Sequence, residues 1–246
     1  MTRDEGDAFT HLVLVPGHAA FRAEVPRPPD DARWDEHWVL EPHQSGEPPL
    51  YLAHAEEGAR IALSDPAALL VCAGRRREGS GSWSEGGSYL AILCSRYPEL
   101  RKKGRAEELS RDSFENLLFS LVLFVTEIGA PPRRVTVTGF RFKEARFRHH
   151  ARALRVDDAA FHYQGVNDPV DLDAARRGEA RTLAAFERAP YGNTREILEK
   201  RRSRESAAAS GPEARHPALV DFLAFLEGDR GAGREYPDRF PWEAVS

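Results

Sequence analysis

One segment of the chain combines charged, hydroxyl and amide side chains with the start of a strongly apolar run. It spans residues 111–120 and has the sequence RDSFENLLFS. Asp112 and Glu115, three positions apart, fit a capping box at a helix N-terminus, which would stabilise the helix by about 1 kcal/mol. Asn116 lies just inside that helix, where an unbonded buried amide costs about 1–3 kcal/mol. Asn116 and Ser113 therefore either serve a ligand or are satisfied internally, and the residues leave both possibilities open.

A second segment, residues 74–94, has the sequence GRRREGSGSWSEGGSYLAILC and leads into a helical pattern. Its glycines and Ser84 could form a turn whose outward-pointing backbone N–H groups favour an anion. The segment matches neither G-x-G-x-x-G nor the Walker motif, so an ordinary flexible loop is an equal alternative. Glu85 falls in the first helical turn, where its charge complements the helix dipole. The three arginines at 75–77 are either phosphate ligands or part of a solvated loop.

The third candidate segment, residues 141–155, carries six Arg or Lys residues against one acid, Glu144. Such a surface could attract an anion. Lys143 would lie in the first turn of a helix, where a cation opposes the helix dipole. That placement predicts an acidic partner across the strand ends, for instance Glu85 or Glu115.

The histidines and cysteines give weaker signals. His18 follows a Pro-Gly pair after an apolar run, so it is either a general base, a phosphate contact or a structural side chain bonded to its loop. His149 and His150 are expected on the surface of a basic helix. Cys72 and Cys94 have no metal-ligand spacing around them, which predicts reduced thiols and no metal site.

Four short runs that end at or near glycine predict β-strands, and helical periodicity fills the intervals between them. The predicted strands are 11–15, 68–72, 134–138 and 159–163. The predicted helices are 50–63, 84–96, 112–128 and 142–154. This alternation predicts an α/β protein with a mostly parallel sheet covered on both faces. Ligands of such sheets lie beyond the carboxyl ends of the strands, here the loops opening at Gly17, Gly74 and Gly139.

The composition changes after about residue 170, where Ala, Arg and Glu dominate. We expect an α/β domain at 1–170 and a helical C-terminal extension at 171–246 that packs on the same domain. Within the extension, 205–215 has the composition of a connector, and Phe240 and Trp242 are expected to pin the tail.

The overall composition excludes some classes of protein. Apolar residues make up 41% and charged residues 30%, too apolar for a disordered chain and too interrupted by charge for a membrane span. The first residues lack a basic stretch followed by a long apolar run, which predicts a cytoplasmic protein. The formal net charge of −4 and the lack of a recognisable nucleic-acid motif disfavour nucleic acid as a partner. No motif identifies a cofactor or an oligomeric state.

Seven segments together resemble the family catalogued as domain of unknown function 218, the SanA- and YdcF-like proteins, and in particular its soluble branch, also seen in fungi and plants. They are LVLVPGHA, LLVCAG, SEGGSY, RDSFENLLFS, VTVTGFRFKEARF, GEARTLAAFERAPYG and LEKRR. The resemblance implies a three-layer, Rossmann-like α/β/α domain with a polar cleft at the strand ends. The cleft would be lined by Gly17, His18, Gly74, Glu85, Arg111, Asp112, Ser113, Glu115, Asn116, Lys143 and Arg146.

Two departures from that family concern the ligand and the location. Its better-known bacterial envelope members look membrane-anchored, whereas no anchor is expected for this chain. Their glycine-rich loop after the second strand is reduced here to Ala73-Gly74, and their later His and Arg pair is replaced by Phe142, Lys143 and Arg146. The family's ligand therefore does not transfer to this chain.

The sequence favours an enzyme that binds an anionic, nucleotide-like small molecule and performs transfer or hydrolysis at a phosphate or glycosidic linkage. Glu85, Asp112, Glu115 and His18 are the candidate acids or bases. The candidate ligand-binding residues are Gly17, Gly74, Arg111, Ser113, Asn116, Lys143 and Arg146. The alternatives are a non-catalytic protein that binds a metabolite and, third, a nucleic-acid binder.

Overall fold

The computed structural model describes residues 9–204, 219–227 and 233–243. The strands of its main sheet are β1 (His11–Pro16), β4 (Ala68–Ala73), β5 (Gly104–Glu107), β6 (Arg134–Phe140) and β7 (Phe161–Asn167). All neighbours in this sheet are parallel, and the strand order is β5-β4-β1-β6-β7. Two short strands, β2 (Ala20–Phe21) and β3 (Trp38–Val39), form a separate antiparallel pair in the connection that follows β1.

Helices cover the sheet on both faces. They are α1 (Pro48–Ser64), α2 (Glu85–Arg96), α3 (Leu100–Lys103), α4 (Ser113–Ile128), α5 (Glu144–Ala153), α6 (Leu172–Arg188), α7 (Arg195–Ser203) and α8 (Val220–Glu227). One hydrophobic core joins the sheet to α1 and α2, and another joins it to α4 and α5. The predicted three-layer α/β/α fold is therefore confirmed. Among the described residues, no helix has both the length and the apolar character needed to cross a bilayer.

The central strand β1 explains why both faces are covered. Successive side chains of a strand point to opposite faces. Leu12 and Leu14 belong to the core beneath α4, whereas Val13 and Val15 belong to the core beneath α1 and α2. A strand buried on both faces needs apolar residues at every position, which is why this one is a continuous apolar run.

For the five strands of the main sheet, the sequence predicted the start of three correctly, placed the start of one too early and missed one. β1, β4 and β6 begin at the predicted residues, whereas β7 begins at Phe161 and not at residue 159. The edge strand β5 was not predicted because its sequence, GRAE, has no apolar run. Helix α5 begins at Glu144 because the preceding residues, Arg141–Lys143, form a 3-10 turn.

The C-terminal helices pack on the face of the sheet that carries α4. Phe186, Tyr191 and Phe222 belong to the same hydrophobic core as Phe114 of α4. In the tail, Phe240 and Trp242 are buried, and Trp242 Nε1 donates a hydrogen bond to the Leu154 carbonyl at 2.7 Å. The expected connector at 205–215 lies outside the described residues, and a domain boundary near 170 stays a prediction.

The strand order creates a crevice between β1 and β6. The chain leaves β1 towards β4 and β5 on one side of the sheet, then crosses back to β6 and β7 on the other side. The loops that follow β1 and β6 therefore diverge and leave a gap above the sheet. Gaps of this kind, at the carboxyl ends of adjacent strands, are where open α/β sheets bind their ligands.

Candidate functional site

A cavity of about 190 Å³ opens above the carboxyl ends of the strands. Among the described residues, six cationic side chains line it, against two carboxylates, Glu85 and Asp112. The six are Arg75, Arg77, Arg111, Lys143, Arg146 and Arg204. This excess of positive charge makes the cavity a candidate site for an anion.

Most of the candidate site residues predicted from the sequence lie together in the lining of this cavity. Those lining the cavity are Gly17, His18, Glu85, Arg111, Asp112, Ser113, Asn116, Lys143 and Arg146. Gly74 and Glu115 lie behind the wall. The candidate list lacked several further lining residues, among them Gln44, Ser110, Thr138, Tyr163 and Arg204.

Lys143 and His18 meet at the crevice between the loops after β1 and β6. The Lys143 Nζ atom lies 2.9 Å from His18 Nε2, and His18 Nδ1 lies 3.0 Å from the Pro16 carbonyl oxygen. A carbonyl only accepts, so Nδ1 carries the proton and Nε2 accepts a hydrogen bond from the lysine. The expectation that Glu85 or Glu115 is the partner of Lys143 was wrong, because Glu85 is bonded to Arg77 and Glu115 to Arg111.

The surroundings of this pair disfavour charge on either group. Burial lowers the pKa of Lys143 to about 7, and the positive charge of Arg146 acts in the same direction. Burial also lowers the pKa of His18 well below its ordinary value, and the charge of Lys143 adds to that effect. His18 is therefore a neutral imidazole at pH 7, stacked on the Tyr51 ring with 4.8 Å between ring centroids. Lys143 exchanges its proton near neutral pH.

Glu85 lies over the ends of β1 and β4 because glycines leave room for it. A Cβ atom at Gly17 would lie 2.5 Å from Glu85 Cβ, and one at Gly74 would lie 2.5 Å from Glu85 Oε2. Gly74 also has a φ of +144°, which disfavours a side chain. Glu85 Oε1 accepts a bond from Arg77 Nε at 2.5 Å, which fixes the carboxylate at the cavity wall. Gly74 thus shapes the site from behind.

The start of α4 is held by an ion cluster. Asp112 caps α4 through its Oδ1 atom, which accepts from the Glu115 amide at 3.0 Å. The Glu115 carboxylate does not close a capping box, because it accepts instead from the Arg111 amide at 2.8 Å. Arg201 of α7 lies 2.8 Å from Asp112 and 3.3 Å from Glu115. We call Arg111, Asp112, Glu115 and Arg201 the Arg201 cluster.

The Arg201 cluster keeps the Asp112 carboxylate ionised. Burial alone would raise the pKa of Asp112, but the charge and hydrogen bond of Arg201 outweigh it and lower the pKa below its usual range. The side chains of Arg201 and Glu115 are each only 3% exposed. Asp112 therefore holds the start of α4 in place and does not offer an exchangeable proton at neutral pH, while Glu115 is bonded to Arg111 and Arg201.

Ser113, the first residue of α4, points its hydroxyl at two groups of α5. Its Oγ atom lies 2.9 Å from His150 Nε2 and accepts a bond from Arg146 Nη1 at 3.1 Å. Arg146 is itself fixed by Glu179 of α6, with an Nε–Oε1 distance of 2.9 Å. His150 is completely buried, so the expectation of a surface histidine was wrong for this residue. Burial lowers the pKa of His150 well below its ordinary value.

Asn116 is satisfied internally at one end of its amide, and its role toward a ligand stays a prediction. Its Oδ1 atom accepts a hydrogen bond from Ser110 Oγ at 2.5 Å, which satisfies one end of the amide internally. Its Nδ2 atom makes no hydrogen bond to any residue that the structure describes. Because Asn116 lines the cavity, this donor is available to a ligand.

The loop between β4 and α2 does not form an open anion-binding turn. The amides of Glu85 and Gly86 donate to the carbonyls of Arg75 and Gly74, at 2.9 and 3.1 Å. The Gly87 amide donates to the capping Ser84 hydroxyl at 2.7 Å. Since these N–H groups are already used, the loop presents arginine side chains to the cavity and not its backbone.

Arg204, at the C-terminal end of α7, is the largest omission from the sequence prediction. Its Nη1 atom donates to the Arg111 carbonyl at 2.7 Å, and its side chain lines the cavity. The basic run that contains it has the composition of a solvated helix face, and no local signal places it near the sheet. Across the described ranges, no group of three or more His, Cys, Asp or Glu side chains is arranged to hold a metal ion.

Fold and cavity together define a three-layer α/β/α protein with a cation-lined cavity above a parallel sheet. The chain is similar to the uncharacterised protein YOR238W of Saccharomyces cerevisiae, with 23% identity over an alignment of 268 residues. That alignment covers 85% of this chain and 88% of the yeast protein. No protein-family profile and no solved structure matches the chain.

Proposed function

We propose that this protein is an enzyme that acts on a phosphorylated or nucleotide-linked small molecule by transfer or hydrolysis. The observation that carries the proposal is Lys143, whose pKa lies at about 7 in a cavity where cationic side chains outnumber carboxylates. A group whose pKa is near the working pH is suited to proton transfer in either direction. One guanidinium group can donate two parallel hydrogen bonds to two oxygens of a phosphate, so the arginines of the same cavity can hold the substrate.

In this proposal the residues of the site divide into three tasks. Lys143 exchanges the proton, and neutral His18 positions it by accepting its hydrogen bond. Arg146 and the Asn116 amide contact the anionic ligand from the side of α4 and α5. Glu85 is the second candidate base, because only one of its carboxylate oxygens is bonded to Arg77.

A ligand screen tests the proposal first, because binding to the native state raises its stability by mass action. The screen measures thermal unfolding with nucleotides, nucleotide sugars, S-adenosylmethionine and phosphorylated sugars. We expect a shift with a phosphorylated compound, lost in Lys143→Met and Asn116→Ala but kept in Lys102→Met, which removes an exposed lysine. Lys143→Met and Asn116→Ala variants that both respond like the parent protein would contradict the proposed site.

Turnover of the compound that binds separates enzyme from binding protein. We expect the rate to follow the ionisation of one group near pH 7 and to fall by about a hundredfold or more in Lys143→Met, the usual weight of a general acid or base. Binding without any turnover would instead support a non-catalytic metabolite-binding protein. One observation favours that alternative: both lining carboxylates, Glu85 and Asp112, are held in ion pairs with arginines.

The resemblance to the domain of unknown function 218 supports a polar cleft at this position, and we propose that the chain is a soluble, cytoplasmic relative of that family. The family resemblance does not extend to the ligand, because Lys143 and Arg146 replace the His and Arg pair of the better-known members. A cytoplasmic location is tested by fractionating cells that produce the tagged full chain. Recovery in the membrane fraction would contradict it.

A further inference from the structure

Three of the six cations that line the cavity have no acidic partner within the described residues. Arg77, Arg111 and Arg146 each form an ion pair, with Glu85, Glu115 and Glu179 respectively. Arg75, Lys143 and Arg204 form no ion pair in that part of the chain; instead they donate to the Arg76 carbonyl, His18 and the Arg111 carbonyl. When Lys143 is protonated, the cavity therefore holds about three positive charges that no carboxylate within the described residues neutralises.

The number of these positive charges indicates how much negative charge the ligand carries. A phosphate monoester carries about 1.5 to 2 negative charges at pH 7. It would leave at least one of the three cations uncompensated in a partly buried site. A ligand with a second phosphoryl group supplies the missing charge, and its approach would also favour the protonated form of Lys143.

The positions of these cations also indicate two phosphoryl groups. Arg75 follows β4 and Lys143 follows β6, and β1 lies between these strands. Two strand spacings, about 9–10 Å, separate β4 from β6. Arg204 reaches the cavity on the Arg75 side, because it donates to the Arg111 carbonyl at 2.7 Å and the Arg75 amide donates to the adjacent Ser110 carbonyl at 3.2 Å. Like charges gathered at this point are stabilised when an anion lies between them.

We propose that the ligand of this site carries a diphosphate group, an inference that rests on the proposed function. One phosphoryl group lies between Lys143 and Arg146, and the other lies against Arg75 and Arg204. The cavity volume of about 190 Å³ fits this arrangement. Sites that enclose a whole drug-sized ligand usually measure about 300–1,000 Å³. The cavity therefore encloses the diphosphate, and the organic part of the ligand extends outside it.

Calorimetric titration with inorganic phosphate and inorganic pyrophosphate tests this inference on the full chain, with a chelator present to remove divalent cations. We expect pyrophosphate to bind at least about tenfold more tightly than phosphate, because it gains charged hydrogen bonds to two further arginines. Arg75→Gln and Arg204→Gln should each weaken pyrophosphate binding about tenfold and leave phosphate binding within about threefold. Arg133→Gln, at the opposite end of the sheet, removes the same charge and should change neither affinity.

The possible outcomes separate this inference from the proposed function. If phosphate and pyrophosphate bind equally well, or if both arginine variants weaken the two ligands alike, the diphosphate inference is wrong and a site for one phosphoryl group stands. If Arg133→Gln loses as much pyrophosphate affinity as Arg75→Gln, the preference reflects net charge and the inference also fails. If neither anion binds the parent protein, the proposed function fails as well. Circular dichroism of each variant confirms that it is folded, and either arginine variant alone suffices for the test.

Discussion

Replacing Lys143 by Met should change how the stability of the protein depends on pH. In the native state the pKa of Lys143 is about 7, whereas an unfolded chain gives lysine its ordinary value near 10.4. Between these two values the unfolded state binds more protons than the native state. The free energy of unfolding must therefore rise as the pH rises through this range. Met retains most of the side-chain volume but cannot titrate, so the variant lacks this contribution.

The expected size of the effect follows from the same two values. At pH 7 the native lysine is half protonated, and by pH 9 it is almost fully deprotonated while the unfolded lysine stays charged. Integrating the difference in bound protons from pH 7 to 9 gives about 2 kcal/mol, at about 1.4 kcal/mol for each pH unit of full difference. Burial raises the pKa of Glu107 to about 7, but this group is present in both proteins and cancels in the comparison.

Urea unfolding at pH 7, 8 and 9, in buffers free of phosphate, measures this contribution. From pH 7 to 9, the free energy of unfolding of the parent protein should rise by about 2 kcal/mol more than that of Lys143→Met. Lys102→Met, which removes an exposed lysine, is the matched control and should run parallel to the parent. Parallel curves for Lys143→Met and the parent would show that Lys143 keeps an ordinary pKa, and the acid–base role proposed for it would fall.

Two further substitutions test the framework behind the cavity. Gly74→Ala should lower the free energy of unfolding by about 1–3 kcal/mol and by more than Gly129→Ala, which also has a positive φ but no atom within 4 Å of the new Cβ. Equal losses in urea unfolding would mean that the clash with Glu85 is absent. Arg201→Met should cost about 3–5 kcal/mol in the same assay, because it leaves the Asp112 carboxylate without its arginine and removes one of the two arginines bonded to the buried Glu115. The deficit should shrink as the pH falls below the ordinary pKa of Asp112, and a constant deficit would contradict the ion-pair explanation.

Burial on both faces determined how much of the fold could be predicted from the sequence. β1, β4 and β6 are central strands, so they need apolar residues at successive positions and stand out in the sequence. Strand β5, at one edge of the sheet, contributes only four residues and contacts the sheet on one side, so its sequence GRAE carries no such signal. Its existence follows from pairing with β4, which is a tertiary property.

The location of the site was predictable for a different reason than its internal contacts. Parallel strands bring their following loops to one edge of the sheet, which is why His18 and Lys143 could be expected near each other. The bond between them could not be expected, because it depends on which groups the surrounding side chains leave unpaired. Glu85 is taken by Arg77 and Glu115 by Arg111, so the lysine bonds to the imidazole.

The C-terminal helices and the cavity depend on one another through the Arg201 cluster. Asp112 uses one carboxylate oxygen to begin α4 and the other to bind Arg201, so the start of α4 and the position of α7 are joined at a single side chain. Arg204, less than one helical turn further along, then reaches the Arg111 carbonyl and the cavity wall. The contact between α7 and the start of α4 therefore also places Arg204 in the positively charged lining of the cavity. The helical segment that its composition alone assigns to solvent therefore contributes Arg204 to the cavity wall.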